Sequence, residues 1–204
     1  MNTGAVDNPL LTRTQALEAV VVGASAGGVE ALLRIFAGLG ADYRLPIITV
    51  LHMPDDRRSQ LAEVFQQRLA IRVKEVDDKE SLQGGTLYFA ASGYHLLIEQ
   101  DRTFSLSREE PLHFSRPSID ILFETAADVF GAGLLGVLLT GANEDGAQGM
   151  ATIKRMGGLT VVQDPQDAQV PTMPQAALNL HPADFVLPLP GIQALLAELN
   201  RSPC

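Results

Sequence analysis

Cysteine and tryptophan are nearly missing from this chain. Its 204 residues include one cysteine, Cys204 at the very end, and no tryptophan. A lone terminal cysteine cannot close an internal disulfide and has no ligand-spaced neighbour, so a disulfide framework and a cysteine-based metal site are both excluded. Basic residues are also scarce: 15 Lys and Arg stand against 24 Asp and Glu, a net charge of -9. That balance argues against nucleic-acid binding, which needs a basic stripe, and against an anionic membrane surface. Long apolar runs are lacking as well. The longest are strand-length, well short of the roughly 20 residues that span a bilayer. The first 18 residues have no basic segment leading into an apolar one, so no secretory signal is read and the cytoplasm is the expected location.

What is present suits one folded domain. Hydrophobic residues make up 46% and charged residues 19%, enough apolar material for a sizeable core. Residues 1–18 read as a loose polar arm, and 19–204 as a single domain. Apolar runs predict strands at Val20 to Val22, Ile47 to Leu51, Ile71 to Val76, Leu87 to Ala90, Leu134 to Leu139, Leu159 to Gln163 and Phe185 to Leu187. Helical spacing predicts helices from Val29 to Leu39, from a Ser59 cap to Leu69, from Ile119 to Phe130 behind a Ser118 cap, up to Met156, and near Ile192 to Leu199. Leu96 to Glu99 and Thr103 to Leu106 flank a turn and read as a hairpin. Strands alternating with helices imply an α/β fold: a doubly wound, mostly parallel sheet with helices on both faces and an antiparallel edge hairpin.

The first strand runs into Gly23-Ala24-Ser25-Ala26-Gly27-Gly28. This matches G-x-S-x-G, the strand–turn–helix elbow that exposes a serine nucleophile. Two other readings remain open on this stretch alone. Ser25 could cap the following helix, or the glycine turn could hold a phosphate at the helix N-terminus. A dinucleotide fingerprint would need glycine at Ser25 and an acid after the second strand, where His52 stands.

Ligands of open α/β sheets sit at the carboxyl ends of strands. Three such ends carry Ser25, His52 and Asp145. A serine hydroxyl needs a base to take its proton, histidine is suited to that at neutral pH, and a carboxylate fixes the imidazole tautomer. The competing readings are a surface histidine and a turn or cap aspartate, with Glu144 a neighbouring acid. His95 and His181 read as structural, and His113 lies in a polar loop that could line a cleft. No metal and no cofactor is expected, since no ligand-spaced cluster occurs.

Six stretches in order carry a family resemblance: VVVGASAGGVEAL (20–32), VLHMP (50–54), TLYFAASGYHLLIE (86–99), SRPSIDILFETAAD (115–128), GVLLTGANEDGAQGM (136–150) and GGLTVVQDP (157–165). Together the chain resembles the catalytic domain of the chemotaxis receptor methylesterases, the CheB-type protein-glutamate methylesterases, from about Val20 to Leu199. The resemblance implies hydrolysis of glutamate methyl esters on chemoreceptors with release of methanol, and, for some members, deamidation of receptor glutamine. Carried over by motif, the nucleophile falls on Ser25, the base on His52 and the orienting acid on Asp145. The oxyanion and substrate cleft are expected around Ala26, Gly27, Thr140 and Ala142. Implied partners are a methylated receptor or similar signalling protein, with a kinase or methyltransferase of the same pathway.

The chain departs from the family pattern in places. Many members have Ser-Thr-Gly-Gly where Ser25-Ala26-Gly27-Gly28 stands, and Thr-Gly-Met-Gly where Thr140-Gly141-Ala142-Asn143 stands. The best-known members also carry an N-terminal phospho-receiver domain. Only about twenty residues precede the first strand here, fewer than a domain needs, so a form without a receiver domain is expected. The alternative function is a catalytically slow binding module of a chemotaxis-like signalling complex.

Overall fold

The computed structural model describes residues 16–53 and 61–200. The arm expected up to Gln15, the Ser59 cap and Cys204 lie outside the described residues. Leu17 and Glu18, counted with the arm above, are already tied in. Leu17 is buried, and Glu18 donates its N–H to the Gly133 carbonyl and pairs with Arg102.

The core is a seven-stranded sheet in the order β3-β4-β2-β1-β7-β8-β9. Its strands are β1 (Ala19–Ala24), β2 (Ile47–Leu51), β3 (Arg72–Glu75), β4 (Thr86–Phe89), β7 (Leu134–Leu138), β8 (Leu159–Gln163) and β9 (Phe185–Leu187), and every neighbouring pair is parallel. The remaining two, β5 (His95–Ile98) and β6 (Phe104–Ser107), pair antiparallel as the expected hairpin. They form a sheet of their own beside the large one, with an Ile98 N–H bonded to Thr125 of a neighbouring helix.

Both faces of the large sheet are covered. The helices are α1 (Gly28–Phe36), α2 (Leu61–Gln66), α3 (Ile119–Phe130), α4 (Ala147–Arg155), α5 (Thr172–Leu180) and α6 (Leu189–Glu198). The two-residue period of a strand sends alternate side chains to opposite faces. Val20 and Val22 share one core cluster with Leu32, Ile35 and Phe36 of α1 and Leu196 of α6. Val21 points the other way, towards Phe123 of α3 and Met150 of α4. This double burial is why β1 and β7 read as apolar runs, and why even Thr49 of β2 is buried. Each fully buried Leu, Ile, Val or Phe contributes roughly 1.5–3 kcal/mol.

The helices that follow β1 and β7 therefore leave to opposite faces, although β1 and β7 are neighbours. Between their carboxyl ends the winding reverses, the kind of place where open α/β sheets hold ligands.

Candidate active site

The ladder of β1 runs on past its strand ends. Leu139 donates to the Gly23 carbonyl, His52 to the Ala24 carbonyl, and Ser25 to the Thr140 carbonyl, at 2.9, 3.0 and 3.0 Å. Ala24 pairs with Leu51, so Ser25 and His52 are the next residues out on adjacent strands. Neighbouring strands run about 4.8 Å apart, which puts the two side chains within reach of one another. The three loops are thus held by main chain, and their side chains are free for other tasks.

Ser25 does not cap α1. The N-cap is Gly27, at φ +79°, and no side chain caps that helix. Ser25 Oγ takes no partner among the described residues, while its carbonyl accepts from Gly28 N–H at 2.7 Å. A Cβ on Gly28 would collide with Leu51 and Ala24, so glycine is what lets α1 start this close to the sheet. Ser25, Ala26, Gly27, His52 and Met53 line an open cleft with Arg34 and Arg68 on its wall.

His52 meets Asp145. Its Nε2 lies 2.9 Å from Asp145 Oδ2, off the line of an ideal N–H···O bond. Nδ1 faces the other way, 3.5 Å from Ser115 Oγ. Asp145 is fully buried, and its carboxylate accepts the first amides of α3. Oδ1 takes Ser118 O–H and Asp120 N–H, and Oδ2 takes Ile119 N–H, at 2.8–2.9 Å. Burial pushes the Asp145 carboxyl up. The His52 hydrogen bond, the Asp120 and Ile119 amides and the His52 charge outweigh it, and the net shift is below the ordinary carboxylate value. Asp145 is thus a helix cap, but of α3 and not of the helix it precedes, whose N-cap is Gly146.

A second buried carboxylate mirrors it. Asp120 Oδ1 accepts from Gly146 and Gly149 N–H, at 2.9 and 2.7 Å, and so caps α4. Asp120 of α3 thus caps α4, and Asp145 of the loop before α4 caps α3. Asp120 carries the cost of this arrangement. Burial and the neighbouring Asp145 charge push its carboxyl up to about 6, against the Gly149 amide and His113. His113 Nε2 lies 3.4 Å from Asp120 Oδ2. His113, Asp120 and Asp145 offer ligand atoms within 4.8 Å of one another, a cluster no sequence spacing announces. Three of the four carboxylate oxygens are already committed to helix N–H groups.

The sequence-based residues separate on the structure. Ser25, His52 and Asp145 come together. Glu144 is exposed and faces His113. Ala26 and Gly27 line the cleft, and no acceptor among the described residues takes the N–H of Ala26, Gly27 or Ala142. Thr140 has its polar groups committed within the fold. It is buried, its N–H goes to Gln163 Oε1, and its hydroxyl donates to the Ala26 carbonyl at 2.8 Å. It braces the turn that carries Ser25. Sequence reasoning missed Asp120, Ser115 and Gln163, and it took Ser118 only as a cap. Asp120 carried one usable signal, an acid in the first turn of a helix. His95 is buried and structural as read. Its Nδ1 accepts Ser118 N–H and its Nε2 meets the Glu110 carbonyl, pinning both feet of the 110–118 loop.

A sequence family described as CheB methylesterase matches residues 20–196. The chain belongs to the CheB methylesterase family. Its structure is similar to the crystal structure of the Thermotoga maritima CheB methylesterase catalytic domain, with a TM-score of 0.85 and 31% identity, covering 90% of this chain and 98% of that one. A Clostridium acetobutylicum protein named protein-glutamate methylesterase/protein-glutamine glutaminase is 32% identical over 95% of this chain and 58% of its own length. A Leptospira interrogans protein carrying that name in provisional form is 44% identical over 91% of this chain and 96% of its own. The family match thus runs across the large sheet from Val20 onward, and no helix among the described residues is long and apolar enough to cross a membrane.

Proposed function

We propose that the chain is a protein-glutamate methylesterase, with residues 19–204 as its catalytic domain. It hydrolyses glutamate methyl esters on a chemoreceptor or similar signalling protein in the cytoplasm. Deamidation of receptor glutamine is its second reaction, and a kinase or methyltransferase of the same pathway is a further partner. The observation that carries this reading is the buried, amide-held Asp145 carboxylate 2.9 Å from His52, in a cleft that His52 shares with Ser25. Family membership points to the same chemistry.

Ser25 Oγ attacks the ester carbonyl carbon, and its proton passes to Nδ1, the His52 nitrogen turned away from Asp145. Asp145 orients the ring through Nε2 and stabilises the imidazolium that forms. The uncommitted amides of Ala26, Gly27 and Ala142 receive the oxyanion, an effect worth about 3 kcal/mol per donor. Collapse of the adduct breaks the bond to the methoxy oxygen, which takes the proton back from His52 and leaves as methanol. Water, deprotonated by His52, then attacks the acyl carbonyl; the bond to Ser25 Oγ breaks, Oγ takes the proton back from His52, and the glutamate carboxylate is released. With a glutamine substrate the same sequence expels ammonia.

The test is methanol release from a methyl-esterified receptor fragment. Wild type is expected to release it catalytically and Ser25→Ala at least about 10³-fold more slowly. A wild type that binds the fragment and releases no methanol would leave only the binding-module reading.

A further inference from the structure

Leu112 to Ser115 form a tight turn beside the catalytic groups. Leu112 N–H donates to the Ser115 carbonyl at 3.2 Å and Ser115 N–H to the Leu112 carbonyl at 2.8 Å. The two central residues, His113 and Phe114, have φ of 49° and 60°. A two-residue turn with both φ values positive is suited to Asn-Gly, and a bulky side chain there is an outlier. The Phe114 ring gains nothing from the fold in return, since its relative exposure is 103%. Backbone conformation and solvation both disfavour phenylalanine at this position. A strained residue of that kind points to a function outside the fold's own stability.

The turn is held firmly and stands at the reaction centre. His113 faces Asp120, Arg116 donates to the Arg108 and Glu109 carbonyls, and His95 ties Glu110 and Ser118. Ser115, next to Phe114, approaches His52 Nδ1. Phe114 itself forms the rim of a small hollow whose floor includes His52 and Met53.

We propose that Phe114 is a docking anchor for the protein substrate. It inserts among apolar side chains that flank the esterified glutamate. The rim is continuous with the catalytic groups, so a polypeptide that delivers a side-chain ester to Ser25 passes over it. A small free ester does not. One rigid aromatic with few rotatable bonds can supply a large share of an interface's affinity. The proposal rests on the esterase reading of Ser25.

The experiment compares kcat/KM on a methyl-esterified receptor fragment with kcat/KM on p-nitrophenyl acetate, for wild type, Phe114→Ala, Phe114→Leu and Phe114→Gly. The protein-to-small-ester ratio is expected to fall about tenfold in Phe114→Ala and Phe114→Gly, chiefly through KM, and less than about threefold in Phe114→Leu. Phe114→Gly, freed of the backbone strain, is expected to melt about 1–3 °C higher while docking worse. An unchanged ratio in an active enzyme overturns the proposal alone. A lower melting temperature with equal losses on both substrates overturns it too, since Phe114 would then serve the fold. Light scattering covers the remaining occupant: a dimer that Phe114→Ala dissolves, with the ratio unchanged, would make the anchor a contact between copies. A wild type inactive on both substrates would sink the esterase reading, and this proposal with it.

Discussion

Asp145 and Asp120 are chemically the same residue with opposite tasks, and their oxygens say which substitution each tolerates. Asp145 Oδ2 accepts from Ile119 N–H and contacts His52 Nε2, so an amide NH2 there would face two donors. Asp145→Asn is therefore expected to lower kcat by about 10⁴-fold, because His52 is driven to the wrong tautomer. Glu144→Gln, on the exposed neighbouring acid, is expected to stay within a few-fold in the same methanol assay. The reverse ranking would mean that Glu144 is the orienting acid. Asp120 receives both of its helix amides on one oxygen, which the carbonyl of asparagine can replace. Its carboxyl, raised to about 6, favours the neutral form in the folded state. Between pH 4 and 6 the folded protein binds this proton and the unfolded chain does not, so stability falls as pH rises through that window. The effect is roughly 2–3 kcal/mol. Asp145, with a lowered value, works the other way: its stabilisation is present above the ordinary carboxylate value and is lost as pH falls through the folded one. Urea unfolding from pH 4 to 7 checks the prediction. Asp120→Asn should gain stability relative to wild type as pH rises from 4 to 6, and a constant difference would contradict it.

Elements were legible to different degrees, for physical reasons. The strands Ile47–Leu51 and Leu159–Gln163 and the helix Ile119–Phe130 match their sequence reading end to end. Their burial on two faces, or on one helical stripe, leaves a pattern in the chain itself. Ser25, His52 and Asp145 were legible because each stands directly after, or one loop beyond, such a strand. The exchange of caps between α3 and α4 was not, since it joins residues 25 apart whose helices must first pack. The hairpin was legible as a hairpin, but its separation from the main sheet depends on packing that no local pattern encodes. His95 illustrates the same limit. Its sequence position marks a strand start, while its work is to hold Glu110 and Ser118. His95→Leu would leave a carbonyl and an amide unpaired and is expected to cost about 2–4 kcal/mol in urea unfolding. A loss under about 0.5 kcal/mol would show that the 110–118 loop holds without it.

At the scale of the whole molecule, chemistry is concentrated where the winding reverses. α1 leaves the end of β1 to one face and α4 leaves the end of β7 to the other, and Ser25 and Asp145 stand on the two diverging loops. His52 enters from β2 on the far side of β1, so three adjacent parallel strands each deliver one group. The ladder bonds at Ser25 and His52 make their delivery a property of the sheet, while Asp145 is set by the first amides of α3. The central claim is that Ser25 and His52 act as one unit oriented by Asp145. Its most direct test is the double-mutant cycle of Ser25→Ala, His52→Ala and the combined variant, read as methanol release from a methyl-esterified receptor fragment. The account predicts that each single change lowers kcat by about 10³- to 10⁶-fold and that the double variant is scarcely slower than either. Losses that multiply would contradict it, because the two residues would then be acting independently.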